Sequence, residues 1–175
     1  MDPGIGYSRT FIKTVMKKLT LAIALILFSA SVFSQSLTPG TAIPKAVFYK
    51  ADGKTFSTEQ IATGKKTLLM FFDATCGHCQ KVAADFSKRS KELSGVNLYL
   101  VSQDEFRSIN YFLTNYGKPL MSLPNVTALQ DKDHVFIPLF FPKQYPSLYL
   151  FGADKRLIYF SSNEKELPKF FSLIK

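Results

Sequence analysis

The sequence predicts an α/β fold in which a central mixed β-sheet is flanked by helices. Continuous apolar runs of strand length at 67–72 and 96–101 are separated by a helical pattern at 77–93. Strand–helix–strand order implies parallel pairing through a right-handed crossover. Two later apolar runs, 147–151 and 157–160, are joined by a short polar loop, which is typical of an antiparallel hairpin. With 175 residues, 46% apolar and 20% charged, the chain suits one domain with a substantial core.

The first segment is typical of a secretory signal peptide at residues 16–34. Two lysines precede an apolar run, and small residues follow it. The run is shorter than the roughly 20 apolar residues of a comfortable transmembrane helix. We therefore expect residues 1–34 to be removed, with Met16 as a possible true start, and residues 35–175 to form the exported, periplasmic domain. An uncleaved membrane anchor is the alternative.

The elements up to the first helix follow from local signals. Short apolar stretches at 47–49 and 55–56 flank Asp52-Gly53, which predicts an N-terminal hairpin. The run at 67–72 predicts a strand buried on both faces. In 77–93 the apolar residues recur at steps of three and four, which predicts an amphipathic helix.

The remaining elements are predicted in the same way. A helix is expected over 104–116, a short strand over 126–129 and a closing helix over 163–174. The stretch 136–141 is rich in phenylalanine and interrupted by Pro138. Its phenylalanines belong either to the core or to an apolar patch beside the functional site.

The candidate chemistry lies in Cys76-Gly77-His78-Cys79, where the buried strand ends and the helix begins. The thiolate is the reactive form in disulfide exchange, and a helix N-terminus favours it. Cys76 lies at that terminus, after Thr75 as the predicted N-cap. Cys79 falls on the apolar face, so we expect it to be more buried and less reactive. This asymmetry suits an attacking thiol and a resolving thiol.

Other uses of the two cysteines are weaker. A zinc site would have to recruit His78 and His134, and His78 lies inside the cysteine pair. Covalent haem needs a histidine where Gln80 stands. A purely structural disulfide would join residues that are already adjacent and would stabilise little. We expect no metal and no cofactor.

The net charge of +9 lies partly in the leader, and the remaining lysines are scattered. Nucleic-acid binding would require a basic stripe with stacking aromatics. We therefore expect no nucleic-acid partner.

Residues 71–81 resemble the active-site stretch of the thioredoxin superfamily, and residues 145–151 resemble its cis-proline loop and following strand. The stretch 41–67 resembles the N-terminal hairpin of TlpA/ResA-like periplasmic thiol-disulfide oxidoreductases. The long link between residues 101 and 146 also resembles theirs, with room for an extra helix and strand. The resemblance, over about residues 41–174, implies a thioredoxin-like fold with an N-terminal β-hairpin and an αβ insertion.

The resemblance also implies roles for individual residues. Cys76 matches the nucleophile and Cys79 the resolving cysteine, which together form the redox disulfide. Pro146 matches the cis-proline, beside which the backbone of Tyr145 pairs with an extended substrate. The tetrapeptide is that of protein disulfide isomerases, in which a histidine at the position of His78 can stabilise the thiolate and make the disulfide more oxidising. A solvated bystander is the other interpretation of this histidine.

The sequence also departs from the family pattern. Thr75 stands where the family usually has tryptophan, and Met70 stands where thioredoxins often carry a buried acid. Asp73 is a nearer carboxylate, so the proton acceptor for Cys79 stays open. The peroxiredoxin motif, with proline and threonine seven and three residues before its cysteine, is absent because Leu69 and Asp73 occupy those positions.

The sequence therefore predicts an exported thiol-disulfide oxidoreductase that uses a Cys76/Cys79 redox pair. Its expected partners are protein thiols or disulfides and a membrane or periplasmic redox partner, and it is expected to be a monomer. A non-catalytic thioredoxin-like binding module that uses the groove at Pro146 is the alternative function. The physiological direction of electron transfer is left open.

Overall fold

The computed structural model describes residue 13, residues 15–19 and residues 36–175. Residues 13 and 15–19 have helical backbone. The rest of the expected signal peptide lies outside the described residues, so the leader stays a prediction. Within the described ranges no helix has both the length and the apolar character that a membrane crossing requires.

Residues 36–175 contain one seven-stranded sheet with the spatial order β2-β1-β5-β4-β3-β6-β7. The strands are β1 (Val47–Tyr49), β2 (Thr55–Ser57), β3 (Thr67–Phe72), β4 (Asn97–Ser102), β5 (Val126–Gln130), β6 (Ser147–Phe151) and β7 (Leu157–Ser161). Strands β3, β4 and β5 are parallel, and the other pairs are antiparallel. The predicted mixed sheet is therefore confirmed, with both predicted hairpins.

The register of the central strands determines which segments lie next to the C-terminal end of β3. Phe72 is opposite Ser102 on β4, and Phe71 is opposite Ser147 on β6. The residues that follow β3 therefore lie between the end of β4 and the start of β6. This edge of the sheet brings together three segments that are far apart in the sequence.

Four α-helices accompany the sheet in residues 36–175: α1 (Gly77–Lys88), α2 (Phe106–Tyr116), α3 (Phe136–Phe140) and α4 (Leu167–Ile174). Short 3₁₀ helices cover Thr58–Gln60, Ser90–Leu93, Lys118–Ser122 and Glu164–Glu166.

Three helix boundaries differ from the prediction. The helix expected over 104–116 begins at Phe106, after Glu105, whose backbone is extended. The helix expected over 77–93 ends at Lys88, because Arg89 leaves helical geometry and its guanidinium binds Glu92 and covers the ring of Phe171 at 3.4 Å. The closing helix begins only at Leu167, after a 3₁₀ turn capped by Asn163.

Helices lie on both faces of the sheet, as predicted. Successive residues of β3 point to opposite faces, so Leu68 and Met70 pack under α1, α2 and α4. Leu69 and Phe71 pack on the other side with α3 and the N-terminal hairpin. All six residues of β3 are buried, which is why it appears in the sequence as an unbroken apolar run.

The phenylalanine-rich stretch belongs mainly to the core. Phe136 and Phe140 are fully buried, and the ring of Phe136 stacks on Phe71 at 4.2 Å. Ile137 is 46% exposed and faces away from that core. Pro138 is compatible with α3 because it lies in the first turn, where backbone N–H groups have no partner within the helix.

Candidate active site

The carboxylate of Asp104, just after β4, holds the loop between β3 and α1. The backbone N–H of Ala74 donates to Oδ2 of Asp104 at 2.8 Å. The hydroxyl of Ser102 donates to the same oxygen at 2.9 Å. Ala74 is buried, so Asp104 supplies an acceptor to a backbone donor that has little access to water. The loop is therefore fixed to the strand next to it.

The cap of α1 differs from the prediction. The hydroxyl and backbone N–H of Thr75 both donate to Oδ1 of Asp73, at 2.6 and 2.7 Å. A carboxylate is a strong acceptor, and it engages the hydroxyl that would otherwise cap the helix. Cys76 is the N-cap instead, and its Sγ accepts the N–H of Cys79 at 3.4 Å. The expectation that Thr75 caps the helix was wrong.

Cys76 is half-buried at the mouth of the site. Its Sγ receives the Cys79 N–H and lies 3.8 Å from the carbonyl oxygen of Tyr145. The positive end of the α1 dipole also points at this sulfur. A thiolate here would be stabilised by the donor and the dipole while staying open to a reacting sulfur.

Cys79 is 0% exposed, which confirms the predicted difference in burial between the two cysteines. Burial raises the pKa of the Cys79 thiol well above its ordinary value, and its hydrogen bond with Cys76 acts in the same direction. A backbone hydrogen bond with Asp73 acts against these effects. Both cysteines are free thiols in the structure, so their disulfide stays a prediction.

The loop before β6 lies on the other side of Cys76 from α1. The Tyr145–Pro146 peptide bond is cis, and Pro146 is buried. The Tyr145 ring packs 5.0 Å from Phe71, and burial raises the pKa of its phenol. The antiparallel pairing of β6 with β3 brings this loop to Cys76, which the sequence spacing alone could not show.

His78 takes a partner that the sequence did not indicate. Its Nδ1 lies 3.0 Å from Oε1 of Glu164, in the turn that precedes α4, and its side chain is 60% exposed. Among residues 36–175, no hydrogen bond joins His78 to Cys76 or Cys79. No local sequence pattern indicates that Glu164 is a neighbour of His78.

The role of Asp104 could have been predicted from the sequence. Asp104 follows β4, and the ends of adjacent parallel strands meet at one edge of a sheet.

Two cavities lie beside the site. The smaller, about 160 Å³, is lined by residues that include Phe71, Ile137 and Tyr145. The larger, about 530 Å³, has Thr75 and Arg107 among its lining residues. Thr75, in the lining of the larger cavity, directly precedes Cys76, and Tyr145, in the lining of the smaller one, directly precedes Pro146. A substrate bound at the Cys76 thiol would therefore lie next to both cavities.

Residues 39–160 match the model of the AhpC/TSA family, and this is more than half of the 175 residues. The chain belongs to the AhpC/TSA family. A comparison with curated proteins gives no significant match.

Solved structures establish the fold. The thioredoxin domain of a thiol-disulfide oxidoreductase from Bacteroides vulgatus superposes with a TM-score of 0.61 and 17% identity, covering 80% of this chain and 100% of that one. A secreted Mycobacterium tuberculosis disulfide oxidoreductase homologous to Escherichia coli DsbE gives 0.59 and 20%, covering 73% and 95%. A peroxiredoxin-like protein from Aquifex aeolicus gives 0.62 and 14%, covering 81% and 90%. The predicted thioredoxin-like fold is confirmed, and the choice between these activities depends on the site residues.

Proposed function

We propose that the protein is an exported, TlpA/ResA-like thiol-disulfide oxidoreductase that acts through Cys76 and Cys79. One observation carries the proposal: a half-buried sulfur caps α1 and faces a backbone carbonyl, while a second sulfur is buried one turn further on. Membership of the AhpC/TSA family supports a redox enzyme in general.

The reaction has two exchange steps. The Cys76 thiolate attacks one sulfur of a substrate disulfide, forming a mixed disulfide and releasing the other substrate sulfur as a thiolate that takes a proton. Cys79 then loses its proton and attacks Sγ of Cys76, forming the protein disulfide and releasing the second substrate thiol. The substrate is reduced by two electrons and the protein is oxidised by two. The same steps in reverse form disulfides in substrate thiols.

The site suggests how a substrate is held. An extended segment would pair with the backbone of Tyr145 beside Pro146, which places its sulfur next to Cys76. His78 would tune the redox balance, because a positive charge near a thiolate favours the reduced form. The export of the protein rests on its leader, and the M. tuberculosis relative is described as secreted.

The test is reduction of insulin disulfides by dithiothreitol, followed by turbidity. Wild-type protein should accelerate it, and Cys76→Ser should abolish the acceleration. Reduced Cys79→Ser, mixed with insulin after the dithiothreitol has been removed, should stop after one step and accumulate a mixed disulfide visible by mass spectrometry. The two variants are matched controls, because each removes one sulfur from the same helix. If Cys76→Ser kept the wild-type acceleration, the proposal would fail and a cysteine-independent binding module would be favoured.

A further inference from the structure

We infer that the larger cavity, here called the Arg107 cavity, selects substrates with an acidic side chain next to the reacting cysteine. The inference rests on the proposed function and specifies its substrate class. The ligand is the carboxylate of a glutamate or aspartate in an extended protein segment. Arg107 is a specificity-determining residue that binds this carboxylate.

The position of the Arg107 cavity is the first argument. Thr75 lines it and precedes Cys76 directly, so the two α-carbons are about 3.8 Å apart. Gln80 of α1 and Arg107, Ser108 and Tyr111 of α2 are also in its lining. At about 530 Å³ the cavity is far larger than the side chain of a glutamate needs. A residue flanking the substrate cysteine would therefore lie near a cavity that is large enough to hold it.

The charge of the cavity is the second argument. Arg107 is exposed, and in the part of the chain that the structure describes no carboxylate forms an ion pair with it. It is the second residue of α2, where a cation opposes the helix dipole. The stability of the helix therefore does not explain a basic residue at this position, whereas a carboxylate ligand does.

The neighbouring acids do not neutralise this charge by contact. Asp104 accepts hydrogen bonds from the Ala74 N–H and from Ser102, and Asp73 accepts two from Thr75. Both carboxylates are thus engaged in holding the active-site loop. Among the described residues that line the cavity, Arg107 is the only charged one.

The aromatic wall fits the same ligand. Tyr111 lies one helical turn after Arg107, on the same face of α2, and is 67% exposed. Its ring can cover the apolar stem of a glutamate while its hydroxyl and the Ser108 hydroxyl can donate to the carboxylate. An exposed tyrosine beside an arginine is typical of interface residues that contribute to binding.

The experiment measures the first exchange step with charged and neutral substrates. Short peptides carry a central cysteine activated as a 2-pyridyl disulfide and flanked on both sides by glutamate, glutamine or lysine. Reduced wild-type protein attacks the peptide sulfur, the S–S bond breaks, and pyridine-2-thione is released and followed by absorbance. The glutamate peptide should react about threefold faster than the glutamine peptide, and the lysine peptide more slowly. High salt should reduce the preference.

Variants locate the preference. Arg107→Gln should make the three peptides react at equal rates, and Arg107→Glu should favour the lysine peptide. Lys91→Gln removes one charge beyond the far end of α1 and should keep the wild-type ratio. Lys143→Gln removes a charge at the smaller cavity and should also keep it.

The outcomes separate this inference from the proposed function. Equal rates for all peptides with wild-type protein, or a ratio that is lost in Lys143→Gln and kept in Arg107→Gln, would overturn the inference alone. Absence of exchange with every peptide would overturn both. Oxidised glutathione, which carries carboxylates on a small disulfide, forms a separate arm. If it lost rate in Arg107→Gln while the glutamate peptide did not, the carboxylate would come from a small molecule and the assignment to a protein segment would be wrong.

Discussion

The two sulfurs of this site are three residues apart but have opposite environments. Cys76 is half-buried, whereas Cys79 is 0% exposed and packs in the core beneath α1. Iodoacetamide at neutral pH should therefore alkylate Cys76 rapidly and Cys79 slowly. Peptide mapping of the reduced protein after short labelling times checks this. If Cys79 were labelled first, the attacking and resolving roles would have to be exchanged.

The pH dependence of Cys79 follows from its raised pKa. Burial, the first cause, remains when Cys76 is replaced by serine. Because only the thiolate is alkylated, the labelling rate of Cys79 in Cys76→Ser should keep rising with pH beyond the ordinary thiol pKa of about 8.5. A plateau at that ordinary pKa would show that burial does not control this thiol. Labelling in denaturant, where the burial is lost, is the control and should show the plateau.

His78 offers a test of redox tuning. An imidazolium near Cys76 favours the reduced form, so His78→Ala should lower the reduction potential of the pair. The His78 side chain is 60% exposed and contacts the carboxylate of Glu164, and both features weaken its effect on Cys76. The shift in potential should therefore be on the order of 10 to 30 mV. Equilibration with glutathione buffers measures it. Lys81→Ala removes an exposed charge more than one helical turn from Cys76 and should shift the potential less. Equal potentials in wild type and His78→Ala would make His78 a bystander.

At the level of residues, the sequence was informative where chemistry is local. The spacing of the cysteines and the apolar face of the helix predicted which sulfur is buried. Thr75 was misassigned because residue type alone does not show that Asp73 binds its hydroxyl. Glu164 could not be predicted, because its contact with His78 exists only after α4 has packed against the sheet.

At the level of elements, Asp131 links the sheet to α3. Its carboxylate is fully buried and accepts hydrogen bonds from the backbone N–H groups of Val135 and Phe136 and from the side chain of Gln103, at 2.8 to 3.0 Å. Asp131→Ala would leave the buried N–H of Phe136 without this acceptor, so it should lower the free energy of unfolding by about 3 kcal/mol. Urea denaturation measures the change.

Asp85→Ala is the matched control for this change. It removes a carboxylate from an exposed pair with Lys88 and should cost less than about 0.5 kcal/mol. Equal costs for the two variants would show that Asp131 does not organise α3. Because α3 carries Ile137 in the wall of the smaller cavity, loss of Asp131 should also disturb that side of the site.

Elements buried on both faces were the easiest to predict. Strand β3 and its neighbour β4 are almost entirely buried and mostly apolar, so their sequences alone indicate two buried strands. Helix ends were harder. The break at Arg89 depends on contacts with Glu92 and Phe171, and Phe171 belongs to an element at the other end of the chain. The place of β5 between β1 and β4 likewise follows from packing that no local pattern records.

At the level of the whole molecule, the sheet and the candidate site both lie in residues 36–175. This segment forms a compact unit of its own and contains the sheet, the flanking helices and both cysteines. A chain that begins at residue 36 should therefore fold, unfold in a single transition and keep the exchange rate of the full chain. Circular dichroism during thermal unfolding and the pyridyl disulfide assay check this. A loss of cooperative unfolding on removal of residues 1–35 would show that the leader contributes to the fold.

The leader itself gives the last prediction. The leader has positively charged residues, then an apolar run, then small residues, which is the order found in a cleavable signal peptide. Expressed from Met16 in a host that secretes such proteins, the mature chain should begin at Gln35, after cleavage behind Ser34, or at Val32, after cleavage behind Ser31. Mass spectrometry of the periplasmic fraction identifies the new N-terminus. Replacing both lysines of the leader by glutamate should retain the protein uncleaved in the cell, because the positive n-region directs insertion. An intact N-terminus in a soluble cytoplasmic protein, with the lysines present, would contradict export and leave the disulfide chemistry to be tested in a reducing compartment.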